Sequence, residues 1–134
     1  MIYFRKLIEG DLEKVNKLLK EENINDRDTD GIIYVVIEDE EVRGIGKVKE
    51  KDYKWFLEYL VIKKEMRGKR LGDGLLRVLS NMLLKKGVVR LYCRQENDFL
   101  IKKGFNKKDD NYFELNIEEL FEHKCDACGG INEF

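Results

Sequence analysis

At 134 residues the chain is long enough for one domain to bury a core without disulfide staples. Charged residues make up 40% of it, yet 26 cations against 27 acids leave a formal net charge of -1, which argues for a solvated surface and against a nucleic-acid footprint. No run approaches the roughly 18 apolar residues of a membrane span, and Met1 to Leu7 lacks the apolar stretch of a signal peptide, so neither membrane nor export is expected.

In chain order, Ile2 to Leu7 reads as an opening strand. Asp11 is placed to cap a helix in which Leu12, Val15, Leu18 and Leu19 recur at helical spacing. Asn23 to Gly31 is a polar, acidic loop. Ile32 to Glu38 and Val42 to Glu50 form a hairpin about the acidic turn Asp39-Glu40-Glu41. Tyr53 to Ile62 is apolar at both parities, as a strand buried on two faces must be. After a basic, glycine-bearing turn, Leu71, Leu75, Val78, Leu79 and Met82 mark one face of a helix that ends near Gly87. Val88 to Cys93 is a strand, Asn97 to Lys103 a short helix, Phe105 and Tyr112 to Leu115 a last hairpin, and Asn116 caps a helix through Phe121. The order β-α-β-β-β-α-β-α-β-β is a mixed α/β fold with a β-α-β crossover at its centre.

The segment from Leu60 to Leu76 carries the chemistry. A buried strand runs into a turn with glycines at 68, 72 and 74 and cations at Arg67, Lys69 and Arg70, then directly into an amphipathic helix. The first N–H groups of a helix lack intrahelical partners, and the macrodipole places partial positive charge there. Such a turn suits a diphosphate. A Walker A loop needs Lys-Ser/Thr after its last glycine, whereas Asp73-Gly74 follows Gly72, and Arg77 stands where a dinucleotide fingerprint needs its third small residue.

This segment resembles motif A of the GNAT superfamily of N-acetyltransferases, Arg/Gln-x-x-Gly-x-Gly/Ala, with Arg67 in the first position, Gly72 in the last, and Arg70 in place of the first glycine. Glu41 to Gly46 resembles the hairpin before motif A, and Asn97 to Phe105 resembles motif B with its glycine-aromatic end. The resemblance covers residues 1–115 as one acetyltransferase domain and leaves 116–134 as a short helix and cysteine-rich tail. It implies a central twisted mixed sheet flanked by helices and an acyltransferase that moves acetyl from acetyl-CoA directly to an amine in a ternary complex.

Carried over residue by residue, it assigns cofactor binding to Leu60, Val61, Ile62, Arg67, Gly68, Lys69, Arg70, Leu71, Gly72, Asp73, Gly74 and Asn97. The backbone of Leu60 and Ile62 would pair with the pantetheine arm, and Asn97 would contact it. Glu58, the lone charged residue between Trp55 and Ile62, is the candidate base, and burial would raise its pKa. The tyrosine that many relatives use as general acid is Leu100 here, which leaves Tyr92, Tyr112 or solvent for that step and keeps a non-catalytic acyl-CoA binder open as the alternative. The acidic loop Glu21 to Asp30 falls where relatives recognise the acceptor.

His123, Cys125 and Cys128 cluster three soft ligands, and Cys-x-x-Cys is half of a common zinc site. A fourth ligand from Cys93 or a second subunit would close it, so a metal-bridged interaction protein or homodimer is a further alternative. Three cysteines do not make a disulfide framework, which points to a reducing cytoplasm.

Overall fold

The computed structural model describes residues 1–126, with 122–126 given by backbone alone. Strands β1 (Ile2–Lys6), β2 (Ile32–Glu38), β3 (Glu41–Lys51), β4 (Lys54–Ile62), β5 (Arg90–Cys93), β6 (Asn106–Asp109) and β7 (Tyr112–Asn116) alternate with helices α1 (Leu12–Glu21), α2 (Leu71–Lys85), α3 (Asp98–Lys102) and α4 (Ile117–Asp126). The strands hydrogen-bond in the order β1-β2-β3-β4-β5-β7-β6. Pairing is antiparallel in β1–β2, β2–β3, β5–β7 and β6–β7, and parallel between β4 and β5. A parallel neighbour requires a crossover, and α2 supplies it. The mixed α/β order expected from the sequence is the one found.

The chain divides into two compact units that share β4 and α2. The first comprises Met1–Lys49 and Glu58–Leu79. Val35 belongs to a buried cluster with Val15, Leu18 and Leu19 of α1, together with Ile45 and Val61. Its neighbour Val36 belongs to another, with Met66, Leu71 and Leu75 at the start of α2. Successive strand side chains point to opposite faces, so α1 and α2 cover the two faces of this part of the sheet. Each fully buried Val or Leu in these clusters stabilises the unit by about 1.5–3 kcal/mol.

The second unit comprises Glu50–Leu57 and the chain from Ser80. Its core residues Leu83, Leu91, Leu115 and Ile117 are fully buried. In the register Tyr92↔Glu114, Leu91↔Leu115, alternate residues turn away from that core. On their side Phe56, Tyr92 and Tyr112 form an aromatic trio, with Tyr92 and Tyr112 edge to face at 5.2 Å and the Arg94 guanidinium 3.9 Å from the Phe56 ring centroid.

Several local expectations change. Asp11 stands before α1 but its side chain makes no cap. The carboxylate instead accepts two bonds from Arg5 at 2.6 and 2.8 Å and one from the Ile8 N–H, a bidentate charge-assisted pair that outcompetes a neutral cap. Tyr53 is not on the central strand. It sits in a two-residue turn with Asp52, both at positive φ, and its ring is 98% exposed. Helix α4 runs on to Asp126 rather than stopping at Phe121 and takes His123 and Cys125 into its backbone.

Candidate functional site

The site is built from the end of β4 outward. Leu60 and Ile62 pack their side chains on the α2 side, and Val61 packs on the α1 side. Their side chains are therefore committed to the core, and any contact with a cofactor falls to their backbone. Beyond Ile62 the Lys63 N–H bonds to the Arg43 carbonyl at 2.8 Å, and a short 3-10 turn over Lys64–Met66 buries Met66. Arg67 returns to extended backbone. Gly68 (φ +86°) and Arg70 (φ +64°) then take left-handed conformations that swing the chain into α2.

The space around Gly68 is open, so glycine is required there by its backbone and not by crowding. Arg70 occupies the position where the GNAT pattern has glycine, and its positive φ accounts for that preference. The arginine adopts the conformation at a cost of about 1–2 kcal/mol. The Gly74 N–H is bonded to the Arg70 carbonyl at 3.1 Å. The amides of Leu71, Gly72 and Asp73 thus precede the helical ladder, at the positive end of a 15-residue helix.

The side chains around this turn differ from expectation in three respects. Arg67 donates from Nε to the Ile62 carbonyl at 2.9 Å and from Nη2 to Glu22 Oε1 at 3.2 Å. It thereby clasps the turn and ties it to the end of α1. Asp73 is buried, and its Oδ2 accepts from Arg77 Nε at 3.0 Å. A Cβ on Gly74 would fall 2.4 Å from Phe4 Cζ, which makes this glycine a packing contact of α2 on β1 rather than room for a phosphate. Lys69 and Arg70 are exposed.

Glu58 is exposed. The expectation that burial desolvates it is overturned: the residue is open to solvent, and its charge lies near Lys49 and Tyr59. Beside it lies a charge network in the loop that the sequence shows as polar and acidic. Lys47, only 1% exposed, donates to Asp26 Oδ2 at 2.7 Å and to the Asp28 carbonyl at 2.7 Å. Lys49 pairs with the Asp28 carboxylate. That pair holds Asp28 down to about 2, and the Lys49 ammonium is raised by Asp28 first and then by Asp30 and Glu58. Tyr59, next to Glu58 in the chain, is pushed well above the ordinary phenol value by burial and by Asp26, Glu58 and Asp28. The available signal was parity: Lys47 shares the inward parity of Ile45, opposite an acid-rich loop.

In the second unit, Asn97 caps α3 by accepting from the Leu100 N–H at 3.1 Å. Leu100 is buried, so the position of the family's tyrosine holds core packing and no acid. Tyr92 is raised by burial and by its hydrogen bond to Glu114. Among the described residues no group of three His, Cys, Asp or Glu side chains could hold a metal. Cys128 and the side chains of His123 and Cys125 lie outside the described residues. No helix among the described residues is long and apolar enough to cross a membrane.

The profile of the Acetyltransferase (GNAT) family matches residues 2–102. Known structures agree on the fold. The PaiA N-acetyltransferase of Thermoplasma acidophilum, solved with coenzyme A, superposes with a TM-score of 0.67 at 18% identity, over 87% of this chain and 99% of that one. The ribosomal-protein-S18-alanine N-acetyltransferase of Escherichia coli gives 0.69 at 17%, over 87% and 94%. A GNAT-family acetyltransferase of Brucella melitensis in complex with acetyl-CoA gives 0.70 at 15%, over 87% and 88%. Nothing among curated proteins matches the chain. The seven-stranded mixed sheet, with a basic strand-to-helix turn after its fourth strand, is the fold shared with these structures. The chain belongs to the acetyltransferase (GNAT) family.

Proposed function

We propose that this protein transfers the acetyl group of acetyl-CoA directly to a primary amine. The observation that carries the reading is the turn from Arg67 to Gly74, whose left-handed Gly68 and Arg70 lead into α2, where three amides precede the first helical bond beside exposed cations. Those amides would hold the diphosphate of the coenzyme, with Lys69 and Arg70 adding charge. Residues 1–115 would make up the catalytic domain, in a reducing cytoplasm where Cys93 stays a free buried thiol.

The amine nitrogen attacks the thioester carbonyl carbon, a backbone N–H of β4 holds the oxyanion, and the C–S bond then breaks to release CoA as a thiolate. The proton lost by the nitrogen passes to the Glu58 carboxylate, directly or through one water. Solvent access to Glu58 favours the water-mediated route. With Leu100 in place of an acid, the thiolate is protonated by solvent.

The second reading, an acyl-CoA binder without turnover, draws support from that same Leu100. Thiol release from acetyl-CoA over a panel of primary amines separates the two. Transfer that is lost in Glu58→Gln while acetyl-CoA still binds supports the enzyme, and tight binding with no release for any amine supports the binder.

A further inference from the structure

Lys47 is a fully buried cation with no part in the chemistry above. It lies on β3 directly opposite Ile33 of β2, on the face covered by α1. An ammonium in such a position is tolerated only when its donors are satisfied and its charge is matched. Both matches come from a single irregular segment, residues 23–31. Asp26 supplies a carboxylate oxygen and Asp28 a carbonyl, each at 2.7 Å, and the Asp28 carboxylate lies 3.8 Å away. The segment is folded around these two acids, because Asp26 Oδ1 accepts from the Asp28 N–H and Asp28 Oδ1 from the Asp30 N–H.

The segment therefore has a defined shape held by two side chains of β3, the buried Lys47 at its centre and Lys49, which pairs with the Asp28 carboxylate. It closes one side of a cavity of about 320 Å³ whose wall includes Leu7, Leu12, Thr29, Gly31 and Ile33. Its residue Ile24 packs on the same cluster as Tyr59, the neighbour of Glu58. Lys49, which pairs with the Asp28 carboxylate of the loop, also feels the charge of Glu58, so loop and candidate base meet around the same lysine.

We infer that Lys47 is a positioning residue for the acceptor amine: by pinning the loop over residues 23–31 to β3, it fixes the wall past which a small primary amine reaches Glu58. The inference rests on the acyltransferase reading and deepens it. It makes a separable claim, because Lys47 touches neither the coenzyme turn nor Glu58's own function.

The test is Lys47→Met. Methionine fills the buried stem, and Asp26, at 24% side-chain exposure, turns to water, so the melting temperature should not fall. Transfer from acetyl-CoA is measured to three amines that differ only in the far end: pentylamine, 1,5-diaminopentane and 5-aminopentanoate. The expected result is an amine KM raised about tenfold, the cost of ordering a released loop on binding, with the acetyl-CoA KM within about twofold of wild type. Asp26→Asn, which loosens the same contact from the loop side without touching the core, should give the same split.

An amine KM within about twofold of wild type in both variants overturns the inference, since a purely structural lysine would move stability and not that constant. Wild-type protein that binds acetyl-CoA yet acetylates none of the three overturns it as well. Wild-type protein that binds no acetyl-CoA overturns the acyltransferase reading beneath it instead.

Discussion

Three glycine-to-alanine substitutions form a graded test of the backbone geometry. Gly10 has no atom within 4 Å of an added Cβ and no positive φ, so alanine there should be neutral or stabilise by up to about 1 kcal/mol through the unfolded chain. Gly68 also faces open space, but at φ +86° it carries the left-handed cost alone, about 1–2 kcal/mol. Gly31, at φ +92°, carries that cost and adds a Cβ at 2.4 Å from the Val48 carbonyl oxygen and 3.2 Å from Lys49 Cα. Because those atoms are backbone of β3, they cannot swing aside, and overpacking of this kind costs about 1–3 kcal/mol more. The total for Gly31→Ala is therefore about 2–5 kcal/mol. Urea unfolding with matched slopes reads all three as midpoint shifts. Gly31→Ala no less stable than Gly68→Ala would refute the reasoning, because the clash would then cost nothing.

Glu58→Gln should lower kcat by about a hundredfold or more with little change in acetyl-CoA affinity, as loss of a general base requires. A drop confined to the acetyl-CoA KM would remove Glu58 from the proton transfer. The Asp28 carboxyl should titrate near 2 by carbon NMR in wild type and return toward the ordinary carboxylate value in Lys49→Met. Its folded pKa is depressed, so the stabilisation from its ion pair is present above the ordinary Asp value of 3.8 and disappears as the pH falls through 2. Cys93, pushed up to about 11 by burial, should resist alkylation at pH 8 when the modified positions are mapped by mass spectrometry. Because the raised value disfavours the folded thiolate, that group's contribution is intact below 9 and is lost as the pH rises toward 11.

What could be read from the sequence follows how local each signal is. Strand β2 has the expected bounds because its β-branched run is bracketed by Gly31 and by Asp39, both at positive φ. Helix α2 follows its apolar spacing, and its C-terminal turn closes with the Gly87 N–H bonded to the Leu84 carbonyl. Failures arise where a distant partner decides. Asp11 has the residue type of a cap, and Arg5 claims it. Glu58 is exposed between a buried Leu57 and a half-buried Tyr59, a difference that the apolar run of β4 does not encode. Gly74 sits in the segment that resembles a phosphate-binding turn, and Gly44 and Gly46 sit in the hairpin before it. Added Cβ atoms would meet Ile62, Leu60 and Phe4 within 3 Å, so they serve helix-to-sheet and strand packing. Only three-dimensional neighbours distinguish that role from close approach to a phosphate. Arg70 is the opposite case, where a departure from the family pattern gains a physical account once its φ is known.

The proposal rests above all on coenzyme binding at the turn from Arg67 to Gly74, and calorimetry with two thioesters tests it directly. S-acetylpantetheine carries the same acyl group and arm as acetyl-CoA without the diphosphate and nucleotide. Charge-assisted bonds to helix-end amides contribute about 1.5–3 kcal/mol, so acetyl-CoA should bind at least about tenfold to a hundredfold more tightly. Equal affinities, or no heat with acetyl-CoA at all, would contradict a site made by the amides that begin α2.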